Sequence, residues 1–193
     1  MMTRPEPVQE VIDEFVGVAH GDFTRVEELL DQYPTLVDVK ATWGESPLEA
    51  AAQTGQRKIA ELLLAHGAQL DICAAAMLGM TDQVATMLQA DASKAHATGA
   101  HEIPVMYYPA LYGHIEIAEL LLAQGADINA GSGKDTALHA AAGFGQAAMA
   151  EWLLAHGSQV NLLDFDGKTP LRLAVERNHK DVGYLLWQHG GVD

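Results

Sequence analysis

Residues 134–161 read KDTALHAAAGFGQAAMAEWLLAHGSQVN, and this stretch decides the fold. Its pattern predicts a tight turn, a short helix over Ala137 to Ala142, a turn at Gly143 to Gly145, a longer helix over Gln146 to Ala155, and a loop. Thr136 is placed to cap the first helix with its hydroxyl. Ala140 and Ala141 are small enough for two helices to approach closely, and Gly145 supplies the positive φ of the turn between them. One such helix pair is too thin to bury its own apolar face, so it requires neighbours of the same kind.

Neighbours are present along the whole chain. The turn residue recurs at Gly21, Gly55, Gly79, Gly113, Gly145 and, as asparagine, Asn178, with steps of 34, 24, 34, 32 and 33. The apolar clusters of the second helix keep the same beat: Leu29-Leu30, Leu62-Leu63-Leu64, Met87-Leu88, Leu120-Leu121-Leu122, Trp152-Leu153-Leu154 and Leu185-Leu186. Two markers with one period predict six stacked helix pairs. The short step falls between Gly55 and Gly79, where the chain passes from Leu70-Asp71 directly into the helix beginning at Ile72. The connection there is expected to lack a finger. Pro109 lies inside the first helix of the fourth unit and is expected to distort its last turn.

Thr136-Ala137-Leu138-His139-Ala140-Ala141, Ser46-Pro47-Leu48-Glu49-Ala50-Ala51 and Thr169-Pro170-Leu171-Arg172-Leu173-Ala174 all resemble the T-P-L-H-x-A signature of the ankyrin repeat. The chain is similar to bacterial-type ankyrin-repeat proteins over about Val8 to Asp193. The resemblance implies an all-α solenoid of helix-turn-helix pairs with short β-hairpin fingers. It divides a single domain, 1–193, into an N-terminal cap repeat (8–40), repeat 2 (41–70), repeat 3 with the shortened connection (71–98), repeat 4 (99–130), repeat 5 (131–163) and a C-terminal repeat (164–193). It also implies that His139 bonds to nearby backbone and fixes its turn. The family's usual partner surface is the concave face lined by finger tips and the ends of the first helices.

Composition narrows the function. The net charge is −15, with 11 acids against 3 bases in residues 1–50 and 5 against 4 in residues 164–193. A surface built to neutralise phosphates is excluded on that balance, so no nucleic-acid partner is expected. Cys73 is the only cysteine, which leaves no intrachain disulfide and reads as a small buried apolar residue. The opening MMTRPEPVQE lacks the apolar core of a signal peptide, and no run of 18 apolar residues occurs, so a soluble, cytoplasmic, membrane-free protein is expected.

Catalytic patterns are missing: there is no G-x-S-x-G, no H-E-x-x-H and no P-loop, and Gly131-Ser132-Gly133-Lys134-Asp135-Thr136 sits where a finger turn belongs. Most of the nine histidines follow the repeat. His66, His156 and His189 precede closing glycines, where a donor suits the last helical carbonyls. His96 and His101 remain in a loop with no cysteine to complete a zinc site. The chain is therefore read as a non-enzyme with no cofactor and no metal.

The residues that the repeat does not prescribe are the candidate site. The two positions before each turn are Gln53-Thr54, Met77-Leu78, Leu111-Tyr112, Gly143-Phe144 and Glu176-Arg177. With the finger positions, they give a candidate partner-binding set of Trp43, Glu45, Met77, Leu78, His101, Leu111, Tyr112, Asp135, Phe144, Phe165, Asp166 and Arg177. The expected function is capture of a partner protein on an exposed apolar and aromatic centre. The alternatives are an acidic mimic of nucleic acid that inhibits a DNA-binding protein, and a homo-oligomeric scaffold. A monomer or weak homodimer is expected.

Overall fold

The computed structural model describes residues 6–193 and contains, among them, twelve α-helices and no strand. In order they are α1 (Gln9–Val18), α2 (Phe23–Gln32), α3 (Pro47–Gln53), α4 (Arg57–Ala65), α5 (Ile72–Leu78), α6 (Thr81–Ala90), α7 (Tyr107–Ala110), α8 (Ile115–Ala123), α9 (Ala137–Gly143), α10 (Ala147–Ala155), α11 (Pro170–Glu176) and α12 (Lys180–Gln188). The helices form six consecutive pairs, as the period requires. They belong to two compact units, Met1–Ala74 and Ala75–Asp193.

In the first unit α1 packs on α2 and α3, and α4 packs on α2 and α3. Phe15, Val16, Leu29, Leu30, Leu36, Leu48, Ile59 and Leu63 are its buried apolar side chains. In the second unit α9 lies between α7 and α11, while α10 packs on α12. Alanines make that row possible: Ala140, Ala141 and Ala142 are all buried.

Local chemistry sets where the helices begin. Ser46 and Glu49 form a reciprocal capping box, with the Glu49 amide donating to Ser46 Oγ at 3.2 Å and the Ser46 amide donating to Glu49 Oε2 at 2.7 Å. Thr169 accepts from the Arg172 amide at 3.1 Å ahead of Pro170 at the first helical position. The connection 66–71 between α4 and α5 holds six residues, and Asp71 caps the following helix by accepting from the Ala74 amide at 2.7 Å. The finger is absent there, as the short step indicates.

Three features differ from expectation. The fingers are turns rather than β-hairpins. Among the described residues only one isolated bridge occurs, Thr98 with Pro104, because the tips close within a few residues. The amide of Asp164 donates to the Lys168 carbonyl, and Asp164 Oδ1 accepts from the Asp166 and Lys168 amides at 2.9 and 2.8 Å. Pro109 lies in a helix that is disturbed at its front as well as at its last turn, where the Leu111 amide donates to the Tyr108 carbonyl in an i→i+3 bond. The missing N–H of Pro109 leaves the Val105 carbonyl to the Tyr108 amide, an i→i+3 bond, and the helix spans four residues where α9 and α11 span seven. Gly21 does not take the left-handed conformation that Gly145 (φ 71°) and Asn178 (φ 61°) adopt.

His139 locks two repeats together. Its Nδ1 accepts from the Thr136 amide at 3.2 Å, which leaves the ring proton on Nε2 to donate to the Lys168 carbonyl at 3.1 Å. The ring is buried, and burial holds its pKa below the ordinary value of 6.5. A depressed value means that the stability it contributes is present above pH 6.5 and is lost as pH falls through the folded value. His139→Ala should cost about 2 kcal/mol at pH 7.5, from the lost bonds and the carbonyl left unpaired. The variant should also show a flatter loss of stability as pH falls below 6.5, read by urea denaturation at several pH values.

Candidate functional site

Each repeat of the second unit ends its first helix with carbonyls that have no intrahelical donor. In three of them, the side chain just after the turn of the next repeat reaches back to take one of these carbonyls. His114 Nε2 donates to the Met77 carbonyl at 3.2 Å, Gln146 Nε2 to the Leu111 carbonyl at 3.1 Å, and His179 Nε2 to the Gly143 carbonyl at 3.0 Å. This arrangement fixes which residue before the turn faces inward. Met77, Leu78 and Leu111 are 0%, 3% and 0% exposed, so the expectation of an exposed pair in each repeat is corrected. They are core residues; of the pairs before the turns, Tyr112 and Phe144 reach the surface in repeats 4 and 5, and both Glu176 and Arg177 are exposed in the last repeat.

Tyr112, Phe144 and Arg177 form a continuous row. The Tyr112 and Phe144 rings lie edge to face with centroids 6.3 Å apart, and the Arg177 guanidinium sits 5.5 Å from the Phe144 centroid. Arg177 is held there by donating Nη1 to the Gly143 carbonyl at 3.1 Å. Tyr112 and Phe144 are half-buried and Arg177 is exposed.

Asp135 lies in the same neighbourhood, within electrostatic range of Arg177, Tyr107, Asp164 and Asp166. Partial burial, followed by the Asp164 and Asp166 charges, raises its carboxyl above the ordinary value, and Arg177 offsets only part of this. A half-buried carboxylate beside two further acids makes Asp135 a candidate functional position. Tyr107 is buried, and burial with the Asp135 charge pushes its phenol well above its usual range. Phe165 stands 58% exposed at a finger tip beside exposed Asp166.

The remaining candidates separate from this row. His101 is exposed at positive φ (54°), followed by Glu102 at 57°, whose carboxylate pairs with Lys134. His96 and His101 are not joined by further ligands: among the described residues no three His, Cys, Asp or Glu side chains converge as a metal-binding group. Trp43 and Glu45 belong to the first unit. Glu45 is 5% exposed, accepts from the Trp43 indole at 2.7 Å and lies 3.4 Å from His20 Nε2. Its expected place on an exposed surface is corrected: it is the buried acid of a His-Glu-Trp cluster. Cys73 is buried, and burial raises its thiol well above the ordinary value.

Comparison with known proteins agrees with this architecture. The family model described as ankyrin repeats (3 copies) matches residues 72–164 and 106–193, and the model for a single ankyrin repeat matches 43–75. Cyclin-dependent kinase 4 inhibitor B of Bos taurus is 32% identical over 129 residues, covering 65% of this chain and 95% of that protein. The transient receptor potential cation channel subfamily A member 1 homolog of Caenorhabditis elegans is 26% identical over 162 residues, 84% of this chain. The E3 ubiquitin-protein ligase Ufd4 of Drosophila melanogaster is 39% identical over 89 residues, 45% of this chain. The matches span only 11% and 3% of the last two proteins. Among the described residues no helix is long and apolar enough to cross a membrane.

Two pH dependences follow from these sites. A raised Asp135 value means that its ionised form costs stability at neutral pH. Asp135→Asn should therefore raise the unfolding midpoint at pH 7, and the gain should vanish as pH falls below about 3.8, the ordinary aspartate value. His20 is raised chiefly by its hydrogen bond to Glu45, so the stability of that pair is present below pH 6.5 and lost as pH rises through the raised value. Glu45→Gln should remove that alkaline limb, which Trp43 fluorescence during unfolding would report.

Proposed function

The chain belongs to the ankyrin-repeat family, and we propose from that premise that it is a non-catalytic interaction module whose second unit captures a partner protein. The docking face is the one lined by the ends of α7, α9 and α11 and their finger loops, the inner curve of the family's architecture. The observation that carries this reading is the row of Tyr112, Phe144 and Arg177 at equivalent positions of the last three repeats. Aromatic and arginine side chains in that setting are the usual anchors of protein interfaces. Here they are already ordered by ring packing and by the Arg177 bond to Gly143, so little side-chain entropy remains to be lost on docking.

Asp135 gives the partner its chemistry. A carboxylate that resists ionisation in the free protein is relieved by an arriving cation, so an arginine or lysine of the partner is the group that fits between Asp135 and Asp166. The net charge of −15 steers such a basic partner over a longer range. Catalysis forms no part of the reading, since these side chains are arranged as a surface without a nucleophile–base pair.

Affinity capture from native lysate tests the proposal, with three baits run side by side. Tyr112→Ala combined with Phe144→Ala should lose the partner captured by the natural sequence while keeping its helix content and unfolding midpoint. Asp135→Asn should weaken capture by about tenfold or more, in keeping with about 1.4 kcal/mol or more for a desolvated charge pair. Undiminished capture by the double variant would overturn the assignment of this face.

A further inference from the structure

The exposed face of the last helix pair is more apolar than its register calls for. Along the second helices, equivalent positions carry Glu61, Glu119 and Glu151, all exposed, but Tyr184 in α12. Three residues on, the equivalents are Leu64, Leu122 and Leu154, all half-buried, but Trp187 in α12. In the first helices the buried Ala52 and Ala142 are matched by Val175 in α11. Tyr184, Trp187 and Val175 are 61%, 63% and 55% exposed. With Leu171, Ala174 and Gly183 they line an open groove of about 480 Å³. Apolar groups gathered at this density on a surface mark a contact face.

We propose that this groove is where a second copy of the chain docks, through a two-fold axis that sets the α11–α12 face against itself. Charge selects this occupant. Copies carrying −15 each repel one another, yet residues 164–193 hold 5 acids against 4 bases, against 11 and 3 in residues 1–50. The end face is thus the part of the molecule through which two copies approach at least electrostatic cost. Lys180 and Asp181 stand exposed and adjacent at the start of α12, and neither forms an ion pair among the described residues. A two-fold axis brings the same patch to both sides of the contact, so Lys180 of each copy can meet Asp181 of the other. Val175 shapes the fit: its branched side chain stands where alanine lets α9 and α11 approach closely, which favours a partner set differently from a further repeat. The Tyr184 and Trp187 rings are already stacked, with centroids 5.9 Å apart, and present a rigid pair of anchors.

Sedimentation velocity on the full chain, over a range of concentrations and at two salt levels, tests this. A monomer–dimer equilibrium is expected, with the dimer favoured by added salt because screening weakens the repulsion between copies. Tyr184→Glu combined with Trp187→Leu restores the Glu and Leu of the equivalent positions, and should be monomeric with an unchanged circular dichroism spectrum. A natural chain that stays monomeric to about 1 mM overturns the proposal. So does a dimer that persists in the double variant. A monomer whose capture of another protein is lost in that variant overturns it too, and assigns the groove to that protein.

Discussion

A helix pair with a short first helix leaves carbonyl oxygens that its own backbone cannot satisfy. In the second unit these are taken by side chains that belong to the next repeat: Met77 by His114, Leu111 by Gln146, Gly143 by His179. The stack depends on this exchange, because it joins hydrogen-bond satisfaction to the apolar burial that a lone pair cannot achieve. It also explains the turn glycines more fully than their positive φ does. A Cβ at Gly79 would stand 2.7 Å from His114 Cε1, one at Gly113 2.9 Å from Gln146 Oε1, and one at Gly145 2.6 Å from His179 Nδ1. The glycine lets the reaching side chain pass directly over the turn. At Asn178 no side chain of the described residues bonds back across the turn, and a residue with a Cβ is accommodated at φ 61°.

A second exchange runs along the loops. Asn129 donates Nδ2 to the Gly157 carbonyl and accepts from the Gln159 amide, and Asn161 does the same with Gly190 and Val192. Asn129 thus ties repeat 4 to repeat 5, and Asn161 together with the His139–Lys168 bond ties repeat 5 to the last repeat. Positions committed to the exchange are closed to partners. What remains open is narrow: the row of Tyr112, Phe144 and Arg177 before the last three turns, and the tips of the fingers.

Much of this was legible in the sequence. The six pairs, the missing finger at 66–71 and the cap at Thr136 follow from period and residue type, because each depends on residues close together in the chain, and the structural role of His139 was implied by the family resemblance. The site was legible only in part. Tyr112, Phe144 and Arg177 were named from their register, but so were Met77, Leu78 and Leu111, which are core. The register gives the distance of a residue from its turn. It does not reveal that a side chain some 35 residues later will seal the inner of the two positions. Glu45 was misplaced for a related reason: its partners His20 and Trp43 come from separate loops of the first unit, and only folding brings them together. The register also places Arg177 one repeat on from Phe144, although the guanidinium's position over the ring emerges only in the folded chain.

Repetition supplies a standard that an irregular fold lacks. Every position has equivalents in nearly the same surroundings, so a residue that departs from them cannot be credited to the demands of the backbone. Tyr184 occupies a position that three other helices fill with glutamate, and the glutamates show that a charged, solvated side chain is sufficient there. Placing an aromatic in water at that point adds nothing to the folding of the pair. Asp135 is retained although burial and its acidic neighbours oppose its charge. Both residues run against what stability alone would select, and they do so at two separated places on the second unit. Contact at those places, the role proposed for them, accounts for the two departures together, whereas the demands of the stack account for neither.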